Sequence, residues 1–193
     1  MKTLLITGFD PFGGEAINPA WEAVRQLPET IGDYRLCKLE IPTVFALAAD
    51  LVWEKATQVQ ADVVICVGQA GGRGAVTPER IGINIRSARI TDNAGNQPRE
   101  EAIVPGGPDG LFSTLPVADM AEAITAAGLP GAVSNSAGTF VCNDVLYTLL
   151  HRFAGTGIKV GFIHVPYLPQ QGTPCLPLDD TVRALEAAIA VME

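Results

Sequence analysis

The chain has 193 residues, 48% hydrophobic and 18% charged, with 13 basic against 21 acidic side chains and a net charge of −8. Such a length and apolar content suit one domain with a sizeable core and exclude a disordered chain. No lysine/arginine cluster offsets the acidic balance, which argues against nucleic acid as the partner.

The opening residues, MKTLLITGFDPF, hold one lysine and a short apolar run, Leu4 to Ile6. That run is too short for a secretion signal, and no stretch approaches a membrane span, so the expectation is a cytoplasmic protein with no membrane partner. The four cysteines, Cys37, Cys66, Cys142 and Cys175, show no CxxC or other metal-ligand spacing. Reduced thiols, no metal and no cofactor are expected.

Residues 2–9 (KTLLITGF) predict a buried strand that ends at a glycine-rich turn, Asp10 to Gly14. Asn18-Pro19 predicts a helix cap followed by proline at the first helical position, with the helix running to about Leu27. Residues 34–41 predict a second strand. A second helix over 42–58 takes Phe45, Leu47, Ala48, Leu51, Val52 and Ala56 as its apolar positions. Residues 62–68 (DVVICVG) are almost continuously apolar, as in a strand buried on both faces, and a loop rich in glycine follows from Gln69 to Gly74.

Thr77-Pro78-Glu79 reads as the opening of a helical turn or as a site segment. Ile81, Ile83 and Ile85 then alternate with Gly82, Asn84 and Arg86, as in a half-exposed strand. Asp, Asn, Gly and Pro dominate 91–116, which predicts a loop or irregular hairpin of a length that is more often functional than idle. A helix over 117–127, a strand over 131–136, a helix from Cys142 to Phe153, a strand over 159–165 and a closing helix over 178–192 complete the order. Alternating strands and helices predict a single domain over 1–193, a three-layer α/β/α sandwich around a mainly parallel, mixed sheet. Ligands in such sheets sit outside the carboxyl ends of the strands, where Phe9, Gln69, the Cys142 segment and His164 fall.

Cys142 follows a run of small residues, Ser134 to Thr139, at the point where a turn gives way to a helix. A helix N-terminus favours an anion, so the expectation is a lowered thiol pKa and a nucleophilic thiolate. Of the two histidines, His151 stands near the helix C-terminus, about nine residues and roughly 13 Å from Cys142, too far for proton transfer. His164, at a strand end in GFIHVPY, is the better base. Glu79 is the favoured carboxylate to orient it, with Asp92 and Asp10 as rivals. Cys37 and Cys66 sit in predicted strands as core residues, and Cys175 sits in a loop rich in proline and glycine.

Four signatures in order identify the chain as similar to the pyroglutamyl-peptidase I (pyrrolidone-carboxylate peptidase) family of cysteine peptidases. They are TGFDPFGG with Asn18-Pro19; Gly71-Gly72-Arg73 with Thr77-Pro78-Glu79-Arg80 and Asn84; SAGTFVCN; and GFIHVPY. The resemblance runs from end to end. It implies removal of N-terminal pyroglutamate from peptides through a thioester, with Glu79, Cys142 and His164 as a triad. It also implies a lactam pocket walled by Phe9, Phe12, Ile90, Phe140 and Val141, with Gln69 contacting the lactam and Arg89 beside the oxyanion. A homotetramer is implied too, with Leu111, Phe112 and Leu115 compatible with an interface. Two rivals are a phosphorylase or other hydrolase on a similar sandwich, disfavoured because no lysine-bearing phosphate loop is present, and a binding module for cyclic ligands, disfavoured by Cys, His and Glu together.

Overall fold

Strands that are apolar on both faces need a helical layer on each side. The computed structural model, which describes residues 1–192, supplies both layers. The sheet has the order β2 (Thr30–Ile31), β3 (Tyr34–Ile41), β1 (Lys2–Phe9), β4 (Val63–Gln69), β8 (Lys159–Val165) and β5 (Thr77–Pro78). The central strands β3, β1, β4 and β8 are parallel, and both edge strands run antiparallel to their neighbours.

Alternation along each strand decides which helices it meets. Leu4, Ile6, Val63, Ile65, Val67, Ile163 and Val165 pack with α1 (Pro19–Val24), α3 (Val117–Ala126) and α5 (Leu178–Ala190). Leu5, Phe9, Val64, Cys66, Val160 and Phe162 pack on the other face with α2 (Leu47–Val59) and α4 (Val141–Arg152). The fold is therefore the expected three-layer sandwich. By the same alternation, Gly68 and His164 face the α2 and α4 side, where Cys142 is carried.

Several elements differ from expectation, each for a non-local reason. The helix expected from residue 42 begins at Leu47, because the N–H groups of Thr43, Phe45 and Ala46 donate instead to the side chains of Asp10, Asp92 and Asp144, at 2.7, 2.9 and 2.9 Å. Residues 131–136 do not form a strand. They run beside 76–80 and make only isolated bridges, Val76 with Gly131 and Glu79 with Ser134, since β5 offers just two residues. Thr77-Pro78 does not open a helical turn; it is captured as edge strand β5 by β8, with Thr77 opposite His164. The half-exposed strand at 81–86 shortens to β6 (Ile81–Ile83), which pairs with β7 (Gly110–Phe112) in a ribbon outside the main sheet. The 91–116 segment is thus the irregular hairpin anticipated, tied back by a bridge between Arg86 and Glu101.

Asn18 caps α1 as predicted, accepting from the Ala20 N–H at 3.0 Å, with Pro19 first in the helix. Among the described residues no helix is long and apolar enough to cross a membrane. Of the apolar residues set aside for an interface, Leu115 is buried, Leu111 is partly buried against the core, and Phe112 is 67% exposed.

Helix α1 lies directly on β1 at Gly8, where an added Cβ would come within 2.5 Å of the Trp21 Cα and 2.6 Å of its backbone nitrogen. Backbone cannot rotate away as a side chain can, so Gly8→Ala must push the helix off the sheet. A destabilisation of about 2–3 kcal/mol is expected, read as a lower denaturant midpoint at unchanged slope. An unchanged midpoint would show that the helix is free to shift.

Candidate active site

The site lies at the carboxyl end of the sheet, where β1, β4 and β8 deliver one residue each to the α2 and α4 face. β8 brings in His164, 4% exposed, and its Nδ1 sits 2.7 Å from Glu79 Oε1. Glu79 is 0% exposed and directly follows β5, and its backbone N–H donates to Phe162 O at 2.9 Å, fixing the carboxylate beside β8. Asp92 and Asp10, the rival acids, are committed elsewhere. Asp92 accepts from the N–H groups of Phe45, Ala94 and Asn96, and Asp10 accepts from Thr43 and Asn93.

Burial pushes the Glu79 carboxyl up, but the hydrogen bond and charge of His164 and the hydrogen bond of Arg73 counter it, and the net pKa is lowered. With the carboxylate ionised, His164 Nδ1 carries a proton and donates it to Oε1, leaving Nε2 for proton transfer. Burial holds the His164 pKa below the usual histidine value against the pull of Glu79, and the charge of Arg73 adds to the lowering. The imidazole is therefore neutral at neutral pH.

Cys142 is the second residue of α4, so its backbone N–H has no acceptor within the helix. Its thiol rests over Gly68: a Cβ there would lie 2.9 Å from Sγ and 2.7 Å from the Phe162 ring. Gly68 is the register partner of His164 on the next strand, one strand spacing (about 4.8 Å) away. The glycine thus leaves room for the thiol of the helix above β4, on the strand that neighbours His164.

The lowered thiol pKa expected from the helix start is not what the structure gives. Burial first, then the charges of Glu79 and Cys66, push the thiol up to about 12, outweighing Arg73 and the Cys142 N–H. Thiol and imidazole are therefore each neutral at neutral pH. Cys66, fully buried in β4, is likewise raised to about 12, in keeping with a core thiol. His151 lies in the last turn of α4, stacked with Tyr147, as its position in the sequence suggests.

A cavity of about 600 Å³ beside the helix start is lined by Phe12, Ser87, Arg89, Ile90, Ala137, Gly138, Thr139 and Phe140. It unites four of the seven residues predicted to bind substrate: Phe12, Arg89, Ile90 and Phe140. Phe140 is held edge-on by Phe45 at 5.2 Å and meets Phe12 at 5.9 Å, while Ile90 is 50% exposed at the rim. The other three stand outside that lining. Phe9 is buried against Phe162, Val141 is buried at the start of α4, and Gln69 at the end of β4 accepts from Gln171 Nε2 at 3.0 Å.

Three supporting residues have no role in the sequence reading, although Arg73 and Asn143 stand inside its signatures. Asn143, buried next to Cys142, accepts from the Ile83 N–H and donates to the carbonyls of Ile83 and Ile85, all at 2.9 Å, anchoring the β6 strand to the helix. Its signal was a lone amide at a buried helical position. Gln171 fixes the amide of Gln69, and Arg73 bonds Glu79; neither has a local pattern that marks its partner.

The pyroglutamyl peptidase family model matches residues 1–193. The pyrrolidone-carboxylate peptidase of Levilactobacillus brevis is 53% identical over 193 residues, spanning 96% of this chain and 95% of that protein. The one from Escherichia fergusonii is 50% identical over 196 residues, spanning 98% and 92%. Among solved structures, pyroglutamyl peptidase I of Bacillus amyloliquefaciens superposes with a TM-score of 0.96 at 45% identity, covering 100% of this chain and 97% of that one. The pyrrolidone carboxyl peptidase of Thermococcus litoralis gives 0.94 at 35% identity, covering 100% and 93%. Sequence and fold agree over the whole length, and the chain belongs to the pyroglutamyl peptidase family of cysteine-type hydrolases.

Proposed function

We propose that this protein hydrolyses the bond between an N-terminal pyroglutamyl group and the following residue of a peptide, with Cys142 as nucleophile, His164 as base and acid, and Glu79 as orienting carboxylate. The observation that carries the reading is Gly68: its missing side chain lets the Cys142 thiol settle across one strand from His164. Family membership supports the substrate class.

Because the resting thiol and imidazole are both neutral, attack is coupled to proton transfer. His164 Nε2 takes the Sγ proton as sulfur bonds to the pyroglutamyl carbonyl carbon, and the imidazolium is stabilised by the Glu79 carboxylate. The oxyanion meets the Cys142 N–H, with Arg89 at the cavity wall beside it. On collapse the C–N bond breaks, His164 returns its proton to the departing amine, and a thioester remains. Water then attacks the thioester, His164 again accepts a proton, the C–S bond breaks, and pyroglutamate leaves as the thiol regains its hydrogen.

The cavity suits a flat, uncharged lactam. Phe12, Ile90 and Phe140 offer apolar wall, while the loop over 137–139 offers backbone groups for the ring N–H and carbonyl. An ordinary N-terminus would bring an ammonium into this setting without a counter-charge, which is costly. Phe112, the exposed member of the apolar set on β7, is the residue through which we infer self-association, though no step of the chemistry needs it.

A pyroglutamyl amide carrying a fluorophore should be cleaved, with proline and glutamate amides as poor substrates. Equal release from the proline amide would reject the specificity. Cys142→Ser should lower kcat by about 10³-fold or more with the fold retained by circular dichroism; an active serine variant would mean that another group attacks. Glu79→Gln should keep KM within about twofold and cut kcat by about 10²–10⁴-fold, as the amide can neither select the His164 tautomer nor stabilise the imidazolium.

The pH profile has a definite sign. His164 acts as base when neutral, and its pKa is held below 6.5, so activity should persist at mildly acidic pH and fall only below that value. An acid limb of kcat/KM centred above 6.5 would mean that the imidazole is more basic than its burial dictates.

A further inference from the structure

The Glu79 carboxylate is not held by His164 alone. Arg73 Nη1 donates to the same oxygen, Oε1, at 2.6 Å and to Thr77 Oγ1 at 2.7 Å, while Nη2 donates to Ser136 O at 2.8 Å. Among the described residues, Oε2 of Glu79 is buried without a hydrogen-bond partner. One guanidinium thus spans three segments: β5, the glutamate that follows it, and the 134–139 run that leads into Cys142. Arg73 itself is held by the turn after β4, where its N–H donates to Ala70 O at 3.2 Å and where Gly72 takes a φ of +87°. Gly71 lies so close under the Tyr167 ring that any side chain there would collide with it.

We propose that Arg73 is a positioning residue for catalysis: acting through Glu79, it sets both the orientation and the basicity of His164, and through Ser136 it ties that pair to the segment carrying the nucleophile. The inference rests on the hydrolytic function proposed above. A carboxylate at 0% exposure cannot stay ionised cheaply, and a lone neutral imidazole donor would leave it undercompensated. The guanidinium supplies a fixed positive charge and a planar fork that lysine lacks. Two donors converging on Oε1 leave that oxygen one geometry, and with it the imidazole plane.

The charge also acts on the histidine. The titratable and charged groups facing this nest are Glu79 and Arg73 around His164, and Cys142 and Cys66 on the adjoining strand and helix. Glu79 makes His164 easier to protonate, and Arg73 makes it harder. Arg73 therefore keeps the imidazole in its base form down to lower pH, while keeping its orienting partner ionised. Removing the positive charge makes both His164 and Glu79 easier to protonate, so the two effects move the acid limb in one direction, upward.

The test compares kcat/KM against pH for the wild type, Arg73→Gln and Arg73→Lys on a fluorogenic pyroglutamyl amide, with thermal unfolding as the control for fold. Arg73→Gln should raise the acid limb by about 0.5–1 pH unit and lower kcat by about tenfold, with KM within about twofold. Arg73→Lys should return the limb toward the wild-type position while kcat stays reduced, since charge is restored without the fork. An unmoved limb in Arg73→Gln, equal displacement in both variants, or a loss confined to KM would reduce Arg73 to a structural strap and overturn the proposal. Should Arg73→Gln not fold, Arg73→Lys decides alone: an unshifted limb with lowered kcat supports the role, and a shifted limb or unchanged kcat rejects it. Absence of hydrolysis by the wild type would instead reject the function on which the proposal rests.

Discussion

The hydrogen bond between Glu79 and His164 is the constraint around which the site is arranged. Both groups are nearly or fully buried, and burial alone would protonate the acid and keep the base from charging. Only a network of donors can hold a carboxylate there ionised. That network draws on β8 for the imidazole, on the post-β4 turn for Arg73, and on the edge of the sheet for the backbone that aims Glu79. β5 is two residues long, too short to persist alone, and exists because β8 and the 131–134 segment hold it on either side. Fold and site are therefore one problem here: the edge strand that completes the sheet is the strand that delivers the acid.

Cys142, the proposed nucleophile, is delivered by a different layer. Helix α4 packs its apolar face, Val141, Val145, Leu146 and Leu149, against the sheet, which sets the depth of Cys142 to within the tolerance of core packing. That precision is useful only because β4 has glycine at the facing position. A thiol lodged this deeply is raised in pKa, so the structure forgoes a standing thiolate. In the proposed reaction, the thiol accordingly stays protonated until the imidazole takes its proton as a carbonyl is attacked. Helix-start amides, which a reading of sequence alone credits with lowering the thiol pKa, are assigned in the proposed reaction to the oxyanion instead.

Much of this was legible from residue order, and the limits are instructive. β1, β4 and β8 were readable because strands buried on two faces are apolar without alternation, a signal local to each strand. Cys142 and His164 stood out as single reactive residues at element ends. Position favours Glu79 over Asp92 and Asp10 only modestly and family resemblance lifts it further, because which acid reaches a histidine 85 positions away depends on strand order. The start of α2 was misread since the apolar spacing of 42–46 is helical; nothing in that stretch reveals that Asp10, Asp92 and Asp144 will claim its N–H groups. The roles of Arg73, Asn143 and Gln171 are hidden for the same reason, though the first two lie within the quoted signatures. Each is an ordinary polar residue whose importance lies wholly in a partner from another segment.

Those three aspartates link the cavity to the helix of the nucleophile. Asp144, one turn into α4 and salt-bridged to Arg86 at 2.6 Å, accepts from the Ala46 N–H; Asp92 accepts from the Phe45 N–H; and Phe45 braces Phe140 at the head of α4. Ala46 takes a φ of +62°, a conformation an alanine adopts only under constraint. The strain sits where two carboxylates grip adjacent amides, so the loop has a single placement for Phe45 and hence for the aromatic wall. A pocket for a small, rigid lactam gains from that rigidity, because discrimination by shape is lost if the wall can retreat. The acidic residues that leave the chain with its negative charge thus serve in part as internal backbone acceptors, and the specificity proposed for the site depends on them as much as on the side chains that would touch the substrate.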